Sequence, residues 1–183
     1  MLGRSVILLA LLGAAPVPSP TYRVAASIPG PDGAGWDYAA VDADARRLYV
    51  AHGDAVAMAP LDTSAAATSI GSISHGHAVV PVPHTRLLLV TSARDATARL
   101  IDTVSGRESA RIAVGKDPDA AIVDPATSHI LVMNAEDGTI SEVDPAGDGA
   151  RPAVVRTITG TATFNVQPDQ AGQYFTKIQC FCF

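Results

Sequence analysis

Two histidines stand one residue apart in Ser74-His75-Gly76-His77-Ala78, where their types and spacing could support chemistry. Imidazole is the commonest metal ligand and a frequent catalytic base. No Glu-x-x-His or Cys/His spacing accompanies the pair, so the sequence predicts no metal site. We favour the alternative, a turn that leads into a strand and leaves His77 able to contact a ligand.

Two aspartates, Asp37 and Asp119, occupy equivalent places in the repeat described below. Across a channel they could form paired carboxylates that act as general acid and base. The favoured alternative is that aspartate recurs there because it turns the chain into a strand. The sequence also lacks a G-x-S-x-G motif in strand–turn–helix context. It therefore predicts no catalytic residue and no cofactor, and leans away from an enzyme.

The two cysteines, Cys180 and Cys182, lie in the tail KIQCFCF. Residues two apart rarely have the geometry of an unstrained mutual disulfide. A redox or metal role would need partner residues that the sequence does not identify. The sequence therefore predicts no role for the pair.

Composition sets the class of protein. The chain has 183 residues, of which 48% are hydrophobic and 17% charged, and this is typical of a globular protein. The formal net charge is −5. An acidic chain without a Lys/Arg cluster lacks the surface that nucleic-acid phosphates need.

The first 20 residues have the pattern of a signal peptide followed by a linker. Arg4 precedes a short apolar run, Ser5 to Leu12, and small residues follow it. The run is shorter than the roughly 20 residues that span a bilayer. We therefore expect a periplasmic or extracellular protein with no integral membrane segment after cleavage.

Most of the remaining chain reads as a repeat of short strands. Three stretches share a turn, then an apolar triplet, then a second turn and an alternating strand; their triplets are Leu48-Tyr49-Val50, Leu88-Leu89-Val90 and Ile130-Leu131-Val132. A period of about 40 residues with four short strands is typical of a β-propeller blade. The sequence predicts a partial propeller over residues 21–183, with repeats at about 33–73, 74–114, 115–159 and 160–183.

These residues resemble the YVTN-repeat, YncE-like family of secreted, WD40-like β-propellers. The stretches that carry the resemblance are GWDYAAVDADARRLYVAHGD, RLIDTVSGRESARIAVGKDPDAAIVDPAT and the turn Asp102 to Gly106. The resemblance implies an all-β ring, typically of seven four-stranded antiparallel blades, of which about three and a half are present. Thr21 to Gly30 resembles an outermost strand. We expect a truncated or frame-shifted fragment, or else a short form that closes by pairing with another copy.

The repeat also predicts which loops share one face of the propeller, the mouth of its channel. These are the loops that enter the innermost strands and the turns between the second and third strands. Their candidate ligand-binding or partner-binding residues are Trp36, Asp37, His52, His77, Arg94, Asp95, Lys116, Asp119, Asn134 and Glu136. Trp36 is either a binding anchor or a packing residue between blades.

We expect this mixed-charge face to make the protein a non-catalytic binding or interaction module for a polar small molecule, peptide or protein. One alternative is a propeller enzyme or enzyme subunit, of the metal-dependent lactonase or quinone-linked dehydrogenase type. The other is a DNA-binding propeller, which rests on the family resemblance alone.

Overall fold

The computed structural model describes residues 23–147 and 151–159. Within them the chain forms twelve β-strands and one short 3-10 helix at Ala93–Asp95. The strands are β1 (Trp36–Asp42), β2 (Arg47–His52), β3 (Ala55–Pro60), β4 (Thr68–Ile70), β5 (Val79–Pro81), β6 (Leu87–Ser92), β7 (Thr97–Asp102), β8 (Glu108–Ala113), β9 (Pro118–Val123), β10 (Ile130–Asn134), β11 (Thr139–Asp144) and β12 (Ala153–Thr159).

The strands form three four-stranded antiparallel sheets, each built from consecutive strands. We name them the first blade (β1–β4), the second blade (β5–β8) and the third blade (β9–β12). The predicted all-β propeller fold of four-stranded blades is confirmed, as an open arc of three blades. The candidate fourth repeat, 160–183, lies outside the described residues.

The apolar triplets build the core because neighbouring residues of a strand point to opposite faces of its sheet. In β6, Leu88 and Val90 join a buried cluster with Tyr49 of the first blade. Leu89, between them, joins a second buried cluster with Ile130 and Val132 of the third blade. The second blade is therefore apolar on both faces and is packed between its two neighbours.

Aspartates close the turns at one end of the blades. The Asp102 carboxylate accepts backbone N–H bonds from Val104 and Ser105, and the Asp124 carboxylate accepts one from Ala126. The backbone hydrogen bond from Ser105 is the largest of the interactions that hold the pKa of Asp102 below its usual value. These side chains replace backbone partners that a tight turn leaves unpaired.

The N-terminal segment differs from the prediction. Arg23 to Gly30 is exposed and has no regular secondary structure, although Thr21 to Gly30 resembles an outermost strand. Its Pro29 carbonyl accepts a hydrogen bond from the Ala67 N–H at 2.8 Å, beside the first blade. In the described residues this segment is paired with none of the twelve strands, although β4 of the first blade has an unpaired edge.

Glu142 ties the outermost strand of the third blade to its neighbour. Its carboxylate lies 2.8 Å from His129 Nδ1 and accepts a bond from Arg156 Nε at 2.7 Å. The contact with His129, followed by that with Arg156, lowers the pKa of Glu142. A carboxyl whose pKa falls on folding stabilises the fold above its unfolded pKa, and that contribution is lost as pH falls through the folded value.

We therefore expect Glu142→Gln to be less stable than wild type at neutral pH, with the difference shrinking as pH falls below about 4. Urea midpoints measured across this range test it. Glu136→Gln is the matched control, since Glu136 is 65% exposed and meets only the equally exposed Lys116. A stability difference that stays constant with pH would contradict the assigned role of Glu142.

Candidate functional site

The innermost strands of the three blades, β1, β5 and β9, line a concave cavity of about 860 Å³. Its wall is largely apolar, with Tyr38 from β1, Val79 and Val80 from β5 and Ile122 from β9. Asp119 and Asn134 are its polar lining residues in the predicted set. The other eight predicted mouth residues are not among the residues that line this cavity.

His77 connects all three blades at the mouth. Its Nδ1 lies 2.7 Å from Asp37 Oδ2 of the first blade and 3.6 Å from Asp119 Oδ1 of the third. The imidazole side chain is 18% exposed, against 35% and 47% for the two carboxylates. Both aspartates thus contact the same imidazole, so His77 of the second blade links the first blade to the third.

The two histidines of the opening motif lie against each other. Their ring centroids are 4.7 Å apart with the planes nearly perpendicular. His75 has a left-handed backbone (φ 60°) and its N–H donates to Asp54 Oδ1 at 2.9 Å, so this stretch is a turn before β5. Among the described residues no group of three or more His, Cys, Asp or Glu is arranged to hold a metal ion.

The rings of Trp36 and His52 lie against each other in a tilted arrangement. Their ring centroids are 4.1 Å apart and the planes are tilted by 36°. His52 is buried, whereas Trp36 is 49% exposed. The Trp36 ring also packs on Gly30, where an added Cβ would lie 2.5 Å from Cη2. Trp36 therefore combines local packing with an exposed edge.

The other predicted residues are used in separate contacts. Arg94 approaches Asp54 at 3.8 Å and Lys116 approaches Glu136 at 3.4 Å, and both pairs are largely exposed. Exposed pairs of this kind contribute little to stability.

The Asp95 carboxylate forms an ion pair with the buried Arg99 and accepts a hydrogen bond from Thr97 Oγ1. Burial raises the pKa of Asp95, but hydrogen bonds from Ser92, Thr97 and Arg99 and the charge of Arg99 outweigh it and hold that pKa below its usual value.

Asn134 lies below the mouth surface and is 2% exposed. Its amide nitrogen donates to Thr139 Oγ1 at 2.9 Å and to Ser141 Oγ at 3.0 Å. Gly115 is needed opposite it, because an added Cβ there would approach the Asn134 amide to 2.6 Å. This environment is that of a residue that holds the β10–β11 turn.

Sequence reasoning missed Arg99, the charged side chain at the centre of the second blade. It is 6% exposed, and its guanidinium meets Asp95, Glu108 and the Ser72 carbonyl. A signal was available, since Arg99 lies in the otherwise uncharged strand segment Thr97-Ala98-Arg99-Leu100-Ile101. The structure thus brings Asp37, His77 and Asp119 together beside Trp36 and His52, and leaves the other predicted residues in separate contacts.

Comparison with known families gives a match at the other end of the chain. Residues 149–183 match the family model described as cytochrome c oxidase assembly protein CtaG/Cox11. This segment contains Cys180 and Cys182, and its last 24 residues lie outside the described part of the structure.

Curated relatives agree with that match over a similarly short stretch. The chain is 68% identical over 28 residues to cytochrome c oxidase assembly protein CtaG of Mesorhizobium japonicum, covering 15% of this chain and 14% of the relative. It is 62% identical over 34 residues to the CtaG of Chelativorans sp., covering 19% and 17%. The chain thus spans less than a fifth of the length of these relatives.

Solved structures resemble the blades. Hydrazine synthase of Kuenenia stuttgartiensis superposes with a TM-score of 0.63 at 17% identity, over 76% of this chain and 40% of that one. The WD40 β-propeller domain of Doa1 superposes with a TM-score of 0.56 at 14% identity, over 69% and 41%. Such identities support the fold alone.

Two predictions are wrong. Membership of the YVTN-repeat, YncE-like family is overturned by the CtaG/Cox11 match and the curated CtaG relatives. The same match contradicts the predicted function as a binding module at the channel mouth. It also contradicts the two alternatives, a propeller enzyme and a DNA-binding propeller. The error has a physical reason: the repeats specify blades, and a fold of this kind serves many unrelated functions. The residues that match a named family lie where the repeat pattern is weakest.

Proposed function

We propose that this chain acts in the assembly of cytochrome c oxidase, through the segment 149–183. The observation that carries the proposal is the CtaG/Cox11 family match over those residues, with 68% identity over 28 residues to a relative of that name. Strand β12 lies inside the segment and is hydrogen-bonded to β11, so the segment begins on the third blade.

The donor set of the segment favours a soft metal ion as cargo. Cys180 and Cys182 are the two cysteines of the chain, and thiolates select Cu(I), zinc and iron–sulfur clusters over hard cations. Structural zinc and iron–sulfur sites usually take four protein ligands, which is more than this pair supplies. Cu(I) accepts fewer ligands, so we propose that the two thiolates hold Cu(I) for delivery to the oxidase.

Export of the chain is part of the same proposal. It is supported by the signal pattern of residues 1–20, in which Arg4 precedes the apolar run. In the part of the chain that the structure describes, no helix has the length and apolar character needed to cross a membrane.

Anaerobic Cu(I) titration of the full chain against a chromophoric Cu(I) chelator tests the cargo. We expect wild type to withdraw about one equivalent of Cu(I), and Cys180→Ser/Cys182→Ser to lose that binding, because a hydroxyl is a poor ligand for a soft ion. His77→Gln is the matched control, since imidazole also suits copper. Binding that survives in the double serine variant, or that is lost in His77→Gln, would contradict the thiolate site.

Complementation tests the biological role. In a bacterium that lacks its own CtaG, we expect the wild-type chain to raise cytochrome c oxidase activity and the double serine variant not to do so. Equal activity from both would exclude delivery through the cysteines. No rise from a wild-type chain that is expressed and exported would contradict the assembly role.

A further inference from the structure

The cavity between the innermost strands has a wall of small side chains and an open rim. Six of its lining residues are alanine and three are valine. Tyr38 is 53% exposed on the rim, and Ala39, Ala135 and Gly138 are exposed with it. Because protein interiors are packed without voids of this size, a volume of about 860 Å³ has room for an occupant with large apolar side chains.

The described chain reaches Thr159 beside this cavity. Thr159 is the last residue of β12 and pairs with Thr139 of β11. Thr139 lines the cavity together with Gly138, so the chain leaves the third blade at the rim. An extended residue spans about 3.3 Å, and a few residues beyond Thr159 are therefore enough to cross a cavity of this volume.

The two earlier blade junctions show where the chain goes after an outermost strand. Residues 71–78 lead from β4 into β5, and residues 114–117 lead from β8 into β9. Both β5 and β9 line the cavity. Loops of the same lengths, eight and four residues, would bring the chain back to the channel between residues 164 and 168.

Glycine marks all three places where the chain leaves an outermost strand. Gly71 follows β4 directly, Gly115 lies two residues after β8, and Gly160 follows β12 directly. Gly71 has a left-handed backbone (φ 71°), which glycine adopts without steric cost. The sequence after β12 thus begins in the same way as the sequence between β4 and β5.

The segment 160–183 carries the large side chains that the cavity wall lacks. Its charged side chains are Asp169 and Lys177 alone. Phe164 and Val166 are two residues apart, so in an extended chain they point to the same face. All four phenylalanines of the chain lie in this segment: Phe164, Phe175, Phe181 and Phe183.

We propose that residues 160–166 re-enter the channel from the rim at Thr139 and fill the cavity with Phe164 and Val166. The alanines and valines of the wall receive these larger side chains, which gives the close packing of a protein interior. The docking goes beyond the copper proposal and needs no bound ion. It fixes to the three blades the segment that carries Cys180 and Cys182.

Disulfide trapping in the full chain tests the docking. In a Cys180→Ser/Cys182→Ser background with oxidised glutathione, Phe164→Cys/Ala120→Cys should form a disulfide within one chain at least about tenfold faster than Phe164→Cys/Ala126→Cys. Ala120 lines the cavity, whereas Ala126 is exposed in the β9–β10 turn outside it. A disulfide needs Cβ atoms about 4 Å apart, so its rate of formation reports proximity.

Two outcomes of the trapping experiment would overturn the docking. Equal rates for the two pairs would show that Phe164 is no closer to the cavity than to the turn. A disulfide between two chains would assign the cavity to a second copy. Because these variants lack both native cysteines, either failure leaves the copper proposal intact, and a failed copper titration leaves the docking intact.

Dye binding gives a second measurement, on chains that keep their cysteines. Phe164→Asp/Val166→Asp should bind the apolar dye ANS more strongly than wild type, because it uncovers the cavity. Adding Ala39→Trp, which fills exposed space on the wall, should remove the extra binding. Asn165→Asp/Gln167→Glu is the matched control and should bind dye like wild type. Dye binding by wild type that Ala39→Trp abolishes would show a cavity open to a free ligand, and would contradict the docking.

Discussion

Removing both carboxylates that face Arg99 should destabilise the protein by about 3 kcal/mol, the low end of the range for isolating a buried charge. The variant is Asp95→Asn/Glu108→Gln. Arg99 is 7% exposed on its side chain, and these two residues, each about a third exposed, supply the negative charge around it. The low end applies because their partial exposure lets water solvate part of the site. Urea denaturation at neutral pH measures the change.

Two further variants make the expectation about Arg99 specific. Asp54→Asn removes a carboxylate from a largely exposed pair with Arg94 and should change stability by less than about 1 kcal/mol. Adding Arg99→Met to the destabilised variant should recover a large part of the loss, since an apolar side chain of similar length needs no counter-charge. If Arg99→Met deepens the loss instead, the cost arises from packing and not from the isolated charge.

Leu89→Ala should destabilise the fold by about 2–5 kcal/mol, because it opens a cavity between the second and third blades. Leu89 is fully buried and joins a cluster with Leu100, Ile130 and Val132. Val104→Ala, at a residue that is 72% exposed, should change stability by no more than about 0.5 kcal/mol. Thermal and urea unfolding of both variants measure the difference. Equal and small losses would mean that the two blades are not packed through Leu89.

The fold was predictable because a short stretch of sequence specifies each blade and because that stretch recurs along the chain. The alternation around Leu88, Leu89 and Val90 specifies a strand with two apolar faces, and its recurrence specifies neighbours for both. Arg23 to Gly30 was not predictable in the same way, because strand propensity depends on the tertiary context and a strand-like composition does not specify a pairing partner.

The site was harder to predict than the fold. The repeat anticipated that Asp37 and Asp119 occupy equivalent positions, but the distances to His77 depend on how three blades converge. Asp95 and Asn134 were assigned to the mouth from their turn positions alone. In the structure both side chains are hydrogen-bonded to threonines of their own blades, Thr97 and Thr139. The family match came from 149–183, where Cys180 and Cys182 were left without a role because two thiols do not identify their own cargo.

The packing of the second blade between two neighbours has a consequence for how one chain folds. Each blade is a local meander, and blades contact only those next to them in sequence, so folding within a chain can nucleate in one blade and propagate outward. Among the described residues, the second blade packs on two neighbouring blades, whereas the first and third blades each pack on one. We therefore expect local unfolding of the described residues to begin in the first or the third blade and to reach the second blade last.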